Sequence, residues 1–164
     1  MSDQRPAILF IEPKRNALGA LTTRLSEAGF KVLPAASAAD GIALLHRNRI
    51  DLMLSELRLP DKPASEIVRL MQEDVNLAAI PTLLITGKSD REGALEAYEA
   101  GADDVIAKPF DSDVLIARLK RRLQRSQAFE RLNADKMAMD GRLVERAIEL
   151  SELREEVARL RASD

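Results

Sequence analysis

Two glutamates, a threonine and a lysine stand at the ends of short apolar runs, where side chains are placed to do chemistry. Glu12 follows Ala7-Ile8-Leu9-Phe10-Ile11, and Glu56 follows Leu52-Met53-Leu54-Ser55. Thr86 closes Thr82-Leu83-Leu84-Ile85, and Lys108 follows Val105-Ile106-Ala107. In open α/β sheets, ligands and reactive groups collect at the carboxyl ends of strands. Ends of parallel strands lie side by side, so these four side chains are expected to share one crevice. A carboxylate there is a candidate nucleophile, metal ligand or partner of the lysine. A charge-assisted pair between carboxylate and ammonium is short and comparatively strong. His46 is the single histidine, which excludes a histidine metal cluster; it reads as a surface group near a helix C-terminus. There is no cysteine, which excludes disulfides, thiolate-bound zinc and cysteine nucleophiles.

The elements that position these residues are legible from apolar spacing. Ala7 to Ile11 reads as a buried strand. Residues 14 to 28 carry Leu18, Leu21 and Leu25 at helical spacing and stop at Gly29. Phe30 to Leu33 is a second strand. Ser37 is placed to N-cap a helix with Ile42, Leu44 and Leu45. Leu52 to Ser55 is the third strand, and residues 65 to 73 put Ile67, Leu70 and Met71 on one helical face. Pro81 opens a fourth strand through Thr86. A helix over 91 to 100 ends at Gly101, and Val105 to Ala107 is the fifth strand. Five strands interleaved with helices predict an α/β fold with a parallel sheet covered on both faces.

Beyond Asp111 the character changes. Only Gly141 interrupts the helical pattern, at a cost of roughly 1 kcal/mol. With Phe129, Lys136, Leu143, Leu150 and Val157 as a positions, the d positions are Leu132, Met139, Arg146, Leu153 and Leu160. Apart from Lys136 and Arg146 these are apolar, which predicts a coiled coil. In a parallel pair Glu149 would face Arg154 and Glu156 would face Arg161, while Asp135 and Asp140 would repel. Lys136 and Arg146 weaken the seam but help fix its register. A helix from Asp111 to Arg161 would be about 75 Å long at 1.5 Å per residue. Its stripe cannot be buried on one compact domain, so a homodimer through the tail is expected. The expected organisation is a head over residues 6–123 and a coiled-coil extension over 124–161, continuous with the last helix.

The 164 residues suit one domain plus an extension. Hydrophobic residues make up 46% and charged residues 32%, and the formal net charge of −2 provides no global field for nucleic acid or an anionic membrane. The cluster Arg118, Lys120, Arg121, Arg122, Arg125 and Arg131 has Phe129 alone as an aromatic. It reads as a solvated helix face, so no nucleic-acid partner is expected. No apolar run is long enough for a signal-peptide core or a membrane span, and the expected location is the cytoplasm.

The strand-end residues, with Gly101-Ala102-Asp103-Asp104 and Lys108-Pro109-Phe110, resemble the receiver domain of two-component response regulators over roughly Pro6 to Leu123. The resemblance implies a five-stranded doubly wound parallel sheet of flavodoxin-like α/β type, an aspartate phosphorylated with Mg²⁺, and a hydroxyl and a lysine that hold the phosphoryl group. It also implies a switching surface on the fourth helix, fifth strand and fifth helix. Carried over, the hydroxyl is Thr86, the lysine is Lys108, the phosphoacceptor position is Glu56, and the acidic pair after the first strand is Glu12-Pro13.

The departures from that pattern weigh as much as the matches. Pro13 stands where the family has a metal-contacting carboxylate. Mg²⁺ is usually held by one or two carboxylates in near-octahedral geometry, so its binding is expected to be weak or absent, with no other cofactor. Glu56 is one methylene longer than aspartate, and a displacement of about 1 Å can cost about 100-fold in rate. Ala64 stands where glycine is frequent, and Val105 where a switching aromatic is common. These residues point to a degenerate receiver that signals without phosphorylation, as a dimeric adaptor or regulator acting through protein contacts with an unidentified signalling partner and with no enzymatic activity of its own. Three roles for Glu56 stay open: a mimic of the phosphorylated state paired with Lys108 and accepting from Thr86, a structural relic that satisfies Lys108, or a working phosphoacceptor. Glu12 is expected to be a solvated carboxylate near Lys108. The alternatives for the whole are a Mg²⁺-dependent phosphoaccepting regulator, or the regulatory front part of a larger signalling enzyme such as a diguanylate cyclase.

Overall fold

A computed structural model describes residues 2–164. The strands are β1 (Ala7–Ile11), β2 (Lys31–Ala35), β3 (Leu52–Glu56), β4 (Thr82–Thr86) and β5 (Asp104–Ala107). The helices between and after them are α1 (Arg15–Glu27), α2 (Ala38–Arg47), α3 (Ala64–Glu73), α4 (Arg91–Ala100) and α5 (Ser112–Ala162). All strand pairs are parallel, in the order β2-β1-β3-β4-β5.

Alternation along the strands builds a core on each face. Leu9, Ile11 and Met53 pack with Leu45, Ile67 and Met71 of α2 and α3. Ile8, Phe10, Leu52 and Leu54 pack with Leu25 of α1 and Leu115 and Leu119 of α5. A strand buried on both sides favours apolar side chains at successive positions, which is why the runs at the centre of β1 and β3 do not alternate with polar residues.

The second strand begins one residue later and ends two later than expected. Gly29 adopts φ 102°, closing α1, and the Phe30 amide donates back to Leu25 O. Phe30 is therefore packed in the core before pairing starts at Lys31, opposite Ala7. The strand runs on through Pro34 because β2 is an edge strand, where a missing N–H leaves no ladder bond unmade. The expected caps form: Ser37 Oγ accepts from Asp40 N at 3.2 Å, and Gly101 ends α4 in the left-handed region.

The chain divides into two compact units, Met1–Ser126 and Gln127–Asp164. The first holds the sheet and the first turns of α5. The second is helical, and every residue in it is exposed, including Phe129, Leu132, Leu143, Leu150, Leu153 and Leu160. No described helix is long and apolar enough to cross a membrane.

Candidate functional site

Strand register brings the four sequence-derived residues to one edge of the sheet. Ile11 pairs with Ser55, Glu56 with Ile85, and Thr86 with Ala107. Glu12, Glu56, Thr86 and Lys108 thus follow one another across the carboxyl ends of β1, β3, β4 and β5. The Lys108 amide donates to Thr86 O at 2.9 Å, which holds the residue after β5 in line with the strand ends.

The Lys108 ammonium forms an ion pair and hydrogen bond with Glu56 Oε1. The lysine side chain is 36% exposed and the glutamate 15%, so the pair sits at the mouth of the crevice with its anionic end turned inward. Glu56 Oε2 is buried and has no hydrogen-bond partner. Burial pushes the Glu56 carboxyl above its usual range. The Lys108 bond and charge oppose that shift, the Glu12 charge adds to it, and the Lys14 charge opposes it. A carboxylate taken from water with half of its acceptor capacity unused is poorly compensated.

One expectation is corrected here, and one of the roles left open for Glu56 lacks a contact it calls for. Glu12 is not a solvated carboxylate: it is 3% exposed, and Oε1 accepts from the Lys14 backbone amide at 2.9 Å. The chain turns sharply at Pro13, aiming the next amide back at the side chain. Thr86 is also buried, and among the described residues its hydroxyl makes no hydrogen bond to Glu56. Pairing with Lys108, on the far side of Thr86, engages one glutamate oxygen, and the other is left without a donor.

The sequence reading missed the residues that tie the surrounding loops together. Asp61, in the loop after β3, accepts from the Ala38 and Ala39 amides at 2.9 Å each and so caps α2 beside Ser37. These amide bonds hold its carboxyl below the usual range. Asp90 accepts from Gly93 N at 2.9 Å at the start of α4 and meets Arg58 at 3.5 Å. Arg58 also reaches Glu96 at 3.6 Å, and Ser65 donates to Glu96 at 2.6 Å. Asp90 carries a local signal, a capping type just before a helix. Asp61 carries none, because its partners lie 22 and 23 residues earlier in the chain.

Comparison with known proteins agrees with this geometry. The profile of the response regulator receiver domain matches residues 8–120, more than half of the chain. The transcriptional regulatory protein GltR of Pseudomonas aeruginosa is 31% identical over 140 residues, covering 85% of this chain and 58% of GltR. The transcriptional regulatory protein AfsQ1 of Streptomyces coelicolor is 32% identical over 142 residues, covering 87% and 60%. The chain therefore spans about three fifths of the length of these relatives. The DNA-binding response regulator MtrA of Mycolicibacterium smegmatis is 28% identical over 77% of this chain. Relatives of this kind lend no support to excluding nucleic acid. Among solved structures, a CheY-like receiver domain protein from Methanospirillum hungatei superposes with TM-score 0.71 at 24% identity, covering 76% of this chain and 98% of the other, and shares the fold. The receiver domain of a histidine kinase from Syntrophus aciditrophicus gives TM-score 0.68 at 28% identity, covering 73% and 90%. The five-stranded parallel sheet, the crevice at its carboxyl edge and these matches together place the chain in the response regulator receiver domain family.

Proposed function

We propose that this chain is a receiver module whose output does not depend on phosphoryl transfer, and that its tail pairs two copies. The observation that carries the first part is the Lys108–Glu56 ion pair. The lysine that would hold a phosphoryl group is already engaged by the carboxylate at the acceptor position.

The donor set fits Mg²⁺ poorly. Pro13 supplies no carboxylate, Glu12 Oε1 is taken by the Lys14 amide, and Glu56 Oε1 by Lys108. Glu56 Oε2 is a single oxygen without a donor, and an octahedral ion held by so few protein oxygens beside an ammonium is weakly bound. Phosphorylation chemistry has therefore lost both its metal anchor and the geometry of its nucleophile. The orphaned oxygen is the place where the Thr86 hydroxyl or a partner's donor would complete the pair.

The test is intact-mass analysis after incubation with acetyl phosphate and Mg²⁺. The expected result is an unchanged mass. Stoichiometric gain of a phosphoryl group on Glu56 overturns the reading.

The exposed apolar stripe from Phe129 to Leu160 supports pairing through the tail. The Glu149–Arg154 and Glu156–Arg161 matches favour a parallel arrangement. A second reading, that the head regulates a further output domain, is favoured by the extra length of the curated relatives. It is compatible with the first, because a receiver without phosphoryl chemistry can still present a surface to such a domain.

A further inference from the structure

The apolar stripe that suits a parallel pair does not account for all the exposed apolar surface of the tail. Met137 is 74% exposed, Val144 59% and Ile148 54%, and none of them lies on that stripe. With Ala134, Gly141 and Ser151 they recur at intervals of three and four residues, the spacing of a second helix-packing seam. At about 100° per residue this second seam is centred about 150° around the helix from the first. We propose that it is a second self-association surface, on which the tail of another copy packs antiparallel; resting on the parallel pair proposed above, it joins such pairs into an open assembly of four chains or more, because seams about 150° apart do not close a ring of four.

Charge decides both the occupant and its direction. In a parallel self-pairing on this seam, Asp140 would face Glu145, and Arg154 would face Arg159. Both contacts are between like charges and are unfavourable. In the antiparallel arrangement Gly141 lies opposite Val144, Met137 opposite Ile148, and Ala134 opposite Ser151. Small side chains then meet larger ones, Arg131 faces Glu152, and the two-fold axis repeats that pair. No like charges meet on the flanks of that arrangement.

Gly141 supports the same conclusion. A Cβ added there meets nothing within 4 Å, so no contact inside the chain requires glycine. Glycine in a helix interior costs roughly 1 kcal/mol against alanine. Close approach of a second backbone is the use that offsets this cost.

The test is sedimentation equilibrium of the full chain over a wide concentration range, with helicity followed by circular dichroism. The mass of the wild type is expected to rise with concentration to four chains and beyond. Val144→Glu with Ile148→Glu is expected to hold it at two chains while helicity is kept. Direction is read by cross-linking, since the chain has no native cysteine. Under oxidised glutathione, Ala134→Cys mixed with Ser151→Cys is expected to give the mixed disulfide, and either variant alone to give far less. A wild type that never exceeds two chains, a mass of four chains or more that survives V144E/I148E, or cross-linking of each variant to itself overturns the proposal. The parallel seam is tested separately by Leu150→Glu with Leu153→Glu. A two-chain wild type that dissociates with that variant but not with V144E/I148E keeps the parallel pair and sinks the second seam. The reverse pattern keeps an antiparallel contact and sinks the parallel pair and the open assembly, and a monomeric wild type sinks both.

Discussion

The Lys108 ammonium engages one oxygen of the Glu56 carboxylate and leaves the other buried without a donor. The pair joins β3 to the end of β5 across β4, over a sequence separation of 52 residues. It is therefore a tertiary contact that reports on the whole carboxyl edge of the sheet.

Removing one partner should cost more than removing both. Lys108→Met leaves a largely buried carboxylate unpaired and is expected to destabilise the fold by about 1–3 kcal/mol. Adding Glu56→Gln should recover much of that loss, because the buried charge is then gone. Urea denaturation of the two single variants and the double variant measures the coupling; additive losses would mean that the pair contributes nothing.

The raised Glu56 pKa sets a sign for the pH dependence. A carboxyl whose folded pKa lies above its unfolded value near 4.5 binds its proton more tightly in the folded state. Its contribution is fully present below about 4.5 and is lost as pH rises through the folded pKa. Relative to Glu56→Gln, the wild type is expected to lose stability as pH increases from 4.5, then to level off. Urea midpoints at several pH values check this, and a relative gain over that range would show that the Lys108 attraction outweighs burial.

Restoring Mg²⁺ binding should take two changes. Pro13→Asp with Glu56→Asp supplies two short carboxylates and frees Lys108 from the longer one. Isothermal titration with Mg²⁺ is expected to detect binding by this double variant. Glu56→Asp alone is expected to show none, because one of the two anchoring carboxylates is still missing.

Gly93 is required by its neighbours rather than by its backbone. A Cβ there would lie 2.3 Å from Asp90 Oδ2 and 2.8 Å from Leu57 Cδ2. Asp90 is the cap of α4, and Leu57 is a core residue directly after Glu56. Gly93→Ala gains helix propensity of about 1 kcal/mol. It is nevertheless expected to be destabilising overall, since overpacking costs about 1–3 kcal/mol and a lost cap about 1 kcal/mol. A higher urea midpoint than wild type would refute this.

Much of the fold was legible because its signals are local. The apolar runs of β1, β3 and β4 and the stops at Gly29 and Gly101 depend on residues a few positions apart. Boundaries failed where a long-range contact set them. Apolar spacing puts Phe30 in a strand, yet it is an anchor in the core, and the strand runs on through Pro34, which it tolerates as an edge. The site divides in the same way. Glu12, Glu56, Thr86 and Lys108 were found as strand-end residues, whereas the Asp61 cap on α2 was not, because it joins two loops remote in sequence.

Residue spacing alone dictates which side chains stand at the carboxyl edge of the sheet, because alternating apolar runs and helices set strand direction and parallel strands end together. The same kind of spacing puts one apolar stripe at heptad intervals along the tail. What those side chains do at that edge follows from contacts between distant segments. Glu12 is withdrawn onto the Lys14 amide, Thr86 makes no hydrogen bond to Glu56, and Lys108 satisfies one glutamate oxygen of two. These outcomes rest on side-chain reach and on how much water each group loses. Such quantities depend on segments brought together from across the chain, and residue spacing does not encode them.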